Sequence, residues 1–281
     1  MIVNDETIPE YLRAELESET ASLKSTKFSL PEISNRDRAL FLIGEPDLEA
    51  QLIAIKGMLR RHAETEQLVS KKIKELDART RAYAGASDEY QQHLEDQWVD
   101  AIHWSVFQDA AHSMSAVGML APFVESLFVS VFRGLRRQLH EDTANDPRTA
   151  ATQDQYWNPQ IVYRKDGQKD DVVAGINQLA ISTGLHNYLP GEYQKTLSAL
   201  FGYRNNMFHN GFEWPPETRQ RFAQRIASGE WPRSWFSQAT RNDEPWIFYM
   251  SDESIAHCLK MIDQVLDGVG EYITQPKGDL T

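Results

Sequence analysis

The chain has 281 residues, 41% of them hydrophobic and 25% charged, a balance that excludes a disordered or fibrous polypeptide and fits one hydrophobic core or two small ones. With 29 Lys and Arg against 41 Asp and Glu, the net charge is -12, so long-range attraction to nucleic acid or to an anionic membrane is not the default, and any anion site is local. The single cysteine, Cys258, excludes an internal disulfide framework and a Cys-rich zinc module; it fits a reducing, cytoplasmic setting and reads as a buried, inert thiol next to His257.

Residues 1–45 mix charge with Pro9, Pro31 and Gly44 and carry one short amphipathic run, Tyr11, Leu12 and Leu16. They read as a partly ordered N-terminal arm with a small helix and no export signal. From Pro46 the pattern changes. Positions 52, 55, 59, 62, 66, 69, 73, 76, 80 and 83 alternate steps of three and four and hold Leu, Ile, Leu, His, Glu, Val, Ile, Leu, Thr and Tyr, which predicts a long helix with a coiled-coil-like seam. His62, Glu66 and Thr80 weaken that seam, so the helix is expected to pack on neighbouring helices or on a second copy of itself. Gly85, Ala86 and Ser87 make a turn, and a second long helix is predicted from Asp88 to His140, kinked before Pro122. The two form a long hairpin over residues 46–141.

Within the second helix, Met114 to Phe132 contains one charge, Glu125, and Arg133, Arg136 and Arg137 follow it. This stretch is long enough to span a membrane. Pro122, three serines and Glu125 interrupt it, and the favoured reading is the central helix of a bundle with no membrane partner. A polar connection, residues 142–170, holds a short extended piece at Ile161–Tyr163. Residues 171–211 resume helical spacing through Val172, Ile176, Leu179 and Ala180, break at Pro190 and Gly191, and continue from Tyr193 to about Asn210, where Gly211 stops the helix. A Trp-rich connection, residues 212–250, carries one short helix at Glu217–Ala227, and a terminal amphipathic helix occupies residues 251–275.

No phosphate loop, dinucleotide glycine motif, nucleophile elbow or HExxH occurs, which removes several common enzyme classes. Asp100 with His103 and Asp109 with His112 have metal-ligand spacing, but about 100° per residue puts the two pairs on opposite faces of one helix, so they cannot share an ion. Helix ion pairs are the favoured reading, and no metal and no cofactor are expected.

There remains Leu200-Phe201-Gly202-Tyr203-Arg204-Asn205-Asn206-Met207-Phe208-His209-Asn210-Gly211. Arg204, Asn205 and His209 resemble the motif of the HEPN superfamily, in which an Arg, often followed by a polar residue, precedes a His by four to six intervening residues. The spacing alone is common: 18 Arg, three spacings and 8 His in this chain give about 1.5 chance matches. A second match, Arg133 to His140, lacks the Asn. The order of elements around Arg204 is similar to HEPN domains over roughly residues 46–275, although the N-terminal arm and the connection after His209 exceed the minimal four-helix pattern.

The resemblance implies an all-α, HEPN-like helical bundle with a long N-terminal helical hairpin, acting as a homodimeric, metal-independent endoribonuclease of toxin or defence type. Its partners would be an RNA substrate and an antitoxin or other protein. His209 would serve as general acid or base, Arg204 would stabilise phosphate charge, and Asn205 would orient His209 or bind the phosphate. Asn205 and His209 share a helix face, whereas Arg204 and His209 diverge by about 140°. Convergence therefore requires that the helix end or bend before His209, or that a two-fold axis bring two copies together. Arg204, on a partly buried row, needs an acidic or anionic partner, and Glu125 is the candidate. Arg133, Arg136, Arg137 and Trp214 are candidate RNA contacts, as are Lys71, Lys72 and Lys74, although anchoring the loop is the stronger reading for the tryptophans. Two rivals stand beside the nuclease: a non-catalytic interaction module in which the motif caps a helix, and a metal-binding helical protein.

Overall fold

The structure is a computed structural model that describes residues 33–44, 46–85, 87–138 and 154–275. The chain divides into residues 1–34 and residues 35–281, and every element below belongs to the second unit. The Tyr11–Leu16 run, His140 and residues 142–153 of the predicted 142–170 connection lie outside the described residues.

Helix α1 (Asn35–Ile43) precedes the long hairpin, α2 (Leu48–Ala82) and α3 (Asp88–Gln138). Then come a β-hairpin, β1 (Ile161–Arg164) and β2 (Gly167–Asp170), followed by α4 (Val172–Thr183), α5 (Tyr193–Asn210) and α6 (Pro216–Ala227). A second hairpin, β3 (Phe236–Arg241) and β4 (Glu244–Met250), leads into the last helix, α7 (Asp252–Thr274).

Local signals account for most boundaries. The Asp47 carboxylate accepts the Ala50 amide at 2.9 Å, Asp171 accepts that of Ala174 at 3.0 Å and Ser251 that of Ser254 at 3.1 Å, capping α2, α4 and α7, each satisfying an orphan helical N–H. The molecule is predominantly helical, as the sequence predicts, but the 212–250 stretch is not all connection. Asn242 and Asp243 adopt φ of 54° and 62°, the two-residue left-handed turn that suits the twist of a hairpin, and β3 and β4 pair around it. As predicted, one long helix starts at Asp88 and α3 runs through Pro122 as one element.

The inner half of α3 is the centre of the core. Val117, Leu120, Ala121, Val124, Leu127, Phe128, Val131 and Phe132 are all fully buried, enclosed by α1, α4, α5 and α7. An apolar window of α3 is long enough to cross a membrane, and 61% of it is buried inside the structure. Helix α1, which the sequence reading places in the N-terminal arm, packs on α7 and α3 and buries Ala39, Leu42 and Ile43. Glycines permit that closeness: a Cβ on Gly270 of α7 would fall 1.8 Å from the Asn35 carbonyl oxygen, and one on Gly134 of α3 2.5 Å from that of Leu42. Arg36 locks the position by pairing with Glu49 at 2.7 Å and Asp263 at 2.8 Å.

The outer half of the hairpin differs. Between Arg60 and Asp109, Leu94 is the one buried residue among those described. The His62 and His112 rings stack with centroids 4.9 Å apart, Thr80 donates to the Leu94 carbonyl at 3.4 Å, and the Tyr83 and Tyr90 rings meet at 5.0 Å. These contacts fix the register of α2 against α3.

Candidate functional site

Helix α5 turns Tyr193, Thr196, Leu197, Leu200, Tyr203 and Met207 into the core, the three-and-four spacing of a helix with one apolar stripe. Tyr203 is fully buried, its hydroxyl donates to the Phe248 carbonyl at 3.0 Å, and burial pushes its pKa upward. Next to this anchor, Arg204 is half-buried, while Asn205 and His209 are exposed.

The helix continues unbroken to Asn210 and stops at Gly211, whose φ is 71° and whose amide donates to the Met207 carbonyl at 2.9 Å. Of the two routes by which Arg204 and His209 can converge, a helix end before His209 is therefore not taken, and the divergence of about 140° within one copy stands. The Arg204 Nη1 lies 3.4 Å from the Asn205 Oδ1, a long contact. His209 has no hydrogen bond among the described residues. The end of α5 is satisfied instead by Gly211 and by the Asn210 amide, which donates to the Asn206 carbonyl at 3.0 Å, so His209 does not cap the helix.

Several expected site residues lie elsewhere. Glu125 accepts a hydrogen bond from Gln160 and does not pair with Arg204; the β1 approach supplies a neutral donor where the sequence reading places a guanidinium. Trp214 is buried with its ring 5.7 Å from Tyr203 and 4.9 Å from Phe222, and its indole N–H donates to the Gly211 carbonyl at 2.9 Å. It anchors the connection and offers no face to a base. Arg137 donates to the carbonyls of Leu42 at 2.9 Å and Ile43 at 3.3 Å, closing the last turn of α1, so its side chain is engaged in the fold. Arg133 is exposed and Arg136 half-buried.

The Asp and His pairs of α3 separate. His103 stacks on Trp246 at 5.6 Å. His112 meets His62, and burial followed by the charge of His62 holds the His112 pKa down. Burial, then the nearby Glu66, pushes Asp109 up to about 6, and Glu66 is itself raised by burial and by Asp252. The Nδ1 atoms of His62 and His112 are buried and have no hydrogen-bond partner among the described residues. This His62, Glu66, Asp109 and His112 grouping was not singled out from sequence. Its signal is visible there as polar residues on an otherwise apolar seam, but the partner on α3 is set by the hairpin register. No group of three or more His, Cys, Asp or Glu among the described residues has an arrangement that could hold a metal ion.

Two further features escape the sequence reading. His257 Nε2 lies 3.0 Å from Thr196 Oγ1 and its ring packs on Trp235 at 4.7 Å, tying α7 to α5. An open groove of about 490 Å³ beyond the end of α5 is lined by Glu213, Trp214, Arg219, Arg241, Glu244 and Trp246. Cys258 is buried, and that burial pushes its thiol up to about 12, which leaves it protonated and unreactive. Comparison with protein-family models, with curated proteins and with solved structures found no match to this chain.

Proposed function

We propose that the protein is a HEPN-like, metal-independent endoribonuclease of toxin or defence type whose site is completed across a two-fold dimer. The observation that carries this reading is the end of α5, where a half-buried Arg204, with no carboxylate partner among the described residues, stands within two turns of an exposed His209 that likewise has no hydrogen bond among them. Both groups are available to a phosphate, and one unbroken helix cannot aim both at the same phosphate.

In the proposed reaction His209 of one copy accepts the proton of an RNA 2′-hydroxyl, whose oxygen attacks the adjacent phosphorus. Arg204 of the other copy stabilises the charge on the non-bridging oxygens. The bond to the 5′-oxygen breaks, that oxygen leaves with a proton, and the products are a 2′,3′-cyclic phosphate and a 5′-hydroxyl. Asn205, on the same helix face as His209, orients the ring or binds the phosphate.

The test is cleavage of mixed cellular RNA in EDTA, with product ends identified. His209→Ala is expected to lower the rate by about 10² to 10⁴-fold and Arg204→Ala by about 10² to 10³-fold, with unchanged circular dichroism. Mixing the two variants after subunit exchange should restore about a quarter of wild-type activity, since half the dimers are mixed and each holds one intact site. Equal cleavage by wild type and His209→Ala refutes the reading and leaves the interaction-module alternative, which the exposed apolar side chains of the outer hairpin favour.

A further inference from the structure

The outer hairpin is under-packed and electrically divided. Leu68 and Trp104 are each 69% exposed, and Val99 is 55% exposed, an unusual apolar display on a two-helix element with almost no interior. From Arg60 to Ala82, α2 carries seven Lys or Arg against four Asp or Glu; from Asp88 to Asp109, α3 carries six acidic residues and no Lys or Arg. Among the described residues, the ion pairs of this region run along α2, from Lys71 to Glu75 and from Arg81 to Asp77, and none crosses to α3.

Helix geometry places Leu68, Trp104 and several of the charges on one edge. Arg79 donates to the Tyr90 hydroxyl of the same chain at 2.7 Å, which marks one side of the hairpin. At about 100° per residue, Leu68 lies about 20° around α2 from Arg79, and Trp104 about 40° around α3 from Tyr90. Leu68 and Trp104 therefore share that side, together with Lys72 on α2 and Asp96 and Asp100 on α3. The His62–His112 and Thr80–Leu94 contacts set the levels. They bring Leu68 level with residues within a turn of Trp104, Lys72 within a turn of Asp100, and Arg79 within a turn of Asp96.

We propose that a second copy of this chain docks on this edge. The two hairpins lie side by side about a two-fold axis parallel to them, so that α2 of each copy packs antiparallel on α3 of the other. Leu68 then meets Trp104 of the second copy, Lys72 meets its Asp100, and Arg79 meets its Asp96. The second copy is the occupant because the edge is complementary to itself: a basic helix and an acidic helix at matching levels are what a two-fold axis exchanges. The apolar pair supplies the dry centre of a four-helix bundle and the charges its rim. This inference does not depend on the nuclease reading.

Sedimentation of the full chain at micromolar concentration tests it. Wild type is expected to be a dimer that weakens in high salt. Lys72→Glu with Arg79→Glu, and separately Asp96→Lys with Asp100→Lys, should each be monomeric with unchanged helical content, because like charges then face each other. An equimolar mixture of the two variants should restore the dimer, which also establishes that both are folded. Trp104→Ala, which removes an exposed ring, should raise the dimer dissociation constant at least tenfold. A monomeric wild type, a dimer that survives both reversals, or an unchanged constant for Trp104→Ala overturns the proposal. A monomeric wild type would overturn the α5 reading as well, since that site also needs two copies; a dimer that survives both reversals, or an unchanged constant for Trp104→Ala, overturns the hairpin contact alone, and equal RNA cleavage by wild type and His209→Ala overturns the α5 reading alone.

Discussion

Asp109 and His112 respond to pH in opposite directions. Asp109 titrates near 6 in the folded chain against an ordinary value of 3.8; a raised acid favours the folded state most below its unfolded pKa, and that contribution is lost as pH rises through about 6. Asp109→Asn is therefore expected to stabilise the protein by about 1 kcal/mol at pH 7.5, after allowance for solvent screening at a half-buried site. That is a rise of about 2 °C in Tm, vanishing by about pH 4. His112 sits below its ordinary 6.5, so its protonation costs folding free energy as pH falls through that region. His112→Phe should flatten the acid side of the stability profile, and thermal unfolding of both variants from pH 4 to 8 checks the pair of signs. The sequence displayed His62 and Glu66 as polar residues on a seam, but their meeting with His112 and Asp109 depends on a register that turn length alone does not set. Glu125 and Arg204 are the converse: both are half-buried charges, and nothing in their spacing reveals that Gln160, not Arg204, is Glu125's partner.

Among the elements, α1 shows how backbone contact escapes a hydrophobicity pattern. Its seat depends on missing side chains: a methyl on Gly270 would overlap the Asn35 carbonyl at 1.8 Å, and backbone cannot give way as a side-chain end can. Gly270→Ala is expected to destabilise by about 3 kcal/mol, or to release α1 from α7. Gly57 of α2 has no neighbour within 4 Å of its would-be Cβ, and Gly57→Ala should stabilise by about 0.5–1 kcal/mol through helix propensity and a less disordered unfolded chain. Chemical denaturation of the two variants reads the contrast directly. The long helices were legible because their three-and-four spacing persists over many turns; α6 was expected at Glu217–Ala227, and Pro216 stands at its first position. The β3–β4 hairpin was not, since closely spaced aromatics obscure the period-two alternation and the turn signal is only Asn242-Asp243.

Across the whole molecule, packing is concentrated at one end of the hairpin. Amides of α3 from Ala116 to Leu135 sit in the fully enclosed region, whereas α2 and α3 beyond Arg60 and before Asp109 have one buried residue among those described. Hydrogen exchange should therefore report much slower opening for the inner half of α3 than for the outer hairpin, most clearly in the monomeric charge-reversal variants. A uniform protection pattern along α3 would refute that division. For the candidate site, the sequence supplied Arg204, Asn205 and His209 and two routes to their convergence, a helix that ends or bends before His209 or a second copy, and the unbroken course of α5 to Asn210 removes the helix end.

Because α2 and α3 both pass from core to tip without interruption, the hairpin has a phase as well as a length. Each residue added to a helix turns everything beyond it by about 100° and advances it by about 1.5 Å. One residue inserted in both helices outside the core would rotate the Leu68 and Trp104 edge away from the direction in which the bundle now presents it. Seven residues inserted in both would extend the hairpin by about 10 Å and return the edge to within about 20° of its present bearing. The bundle thus sets the angle at which the tip meets its surroundings, and the chain can change reach without changing aim only by lengths near a whole number of turns, such as seven, eleven or eighteen residues.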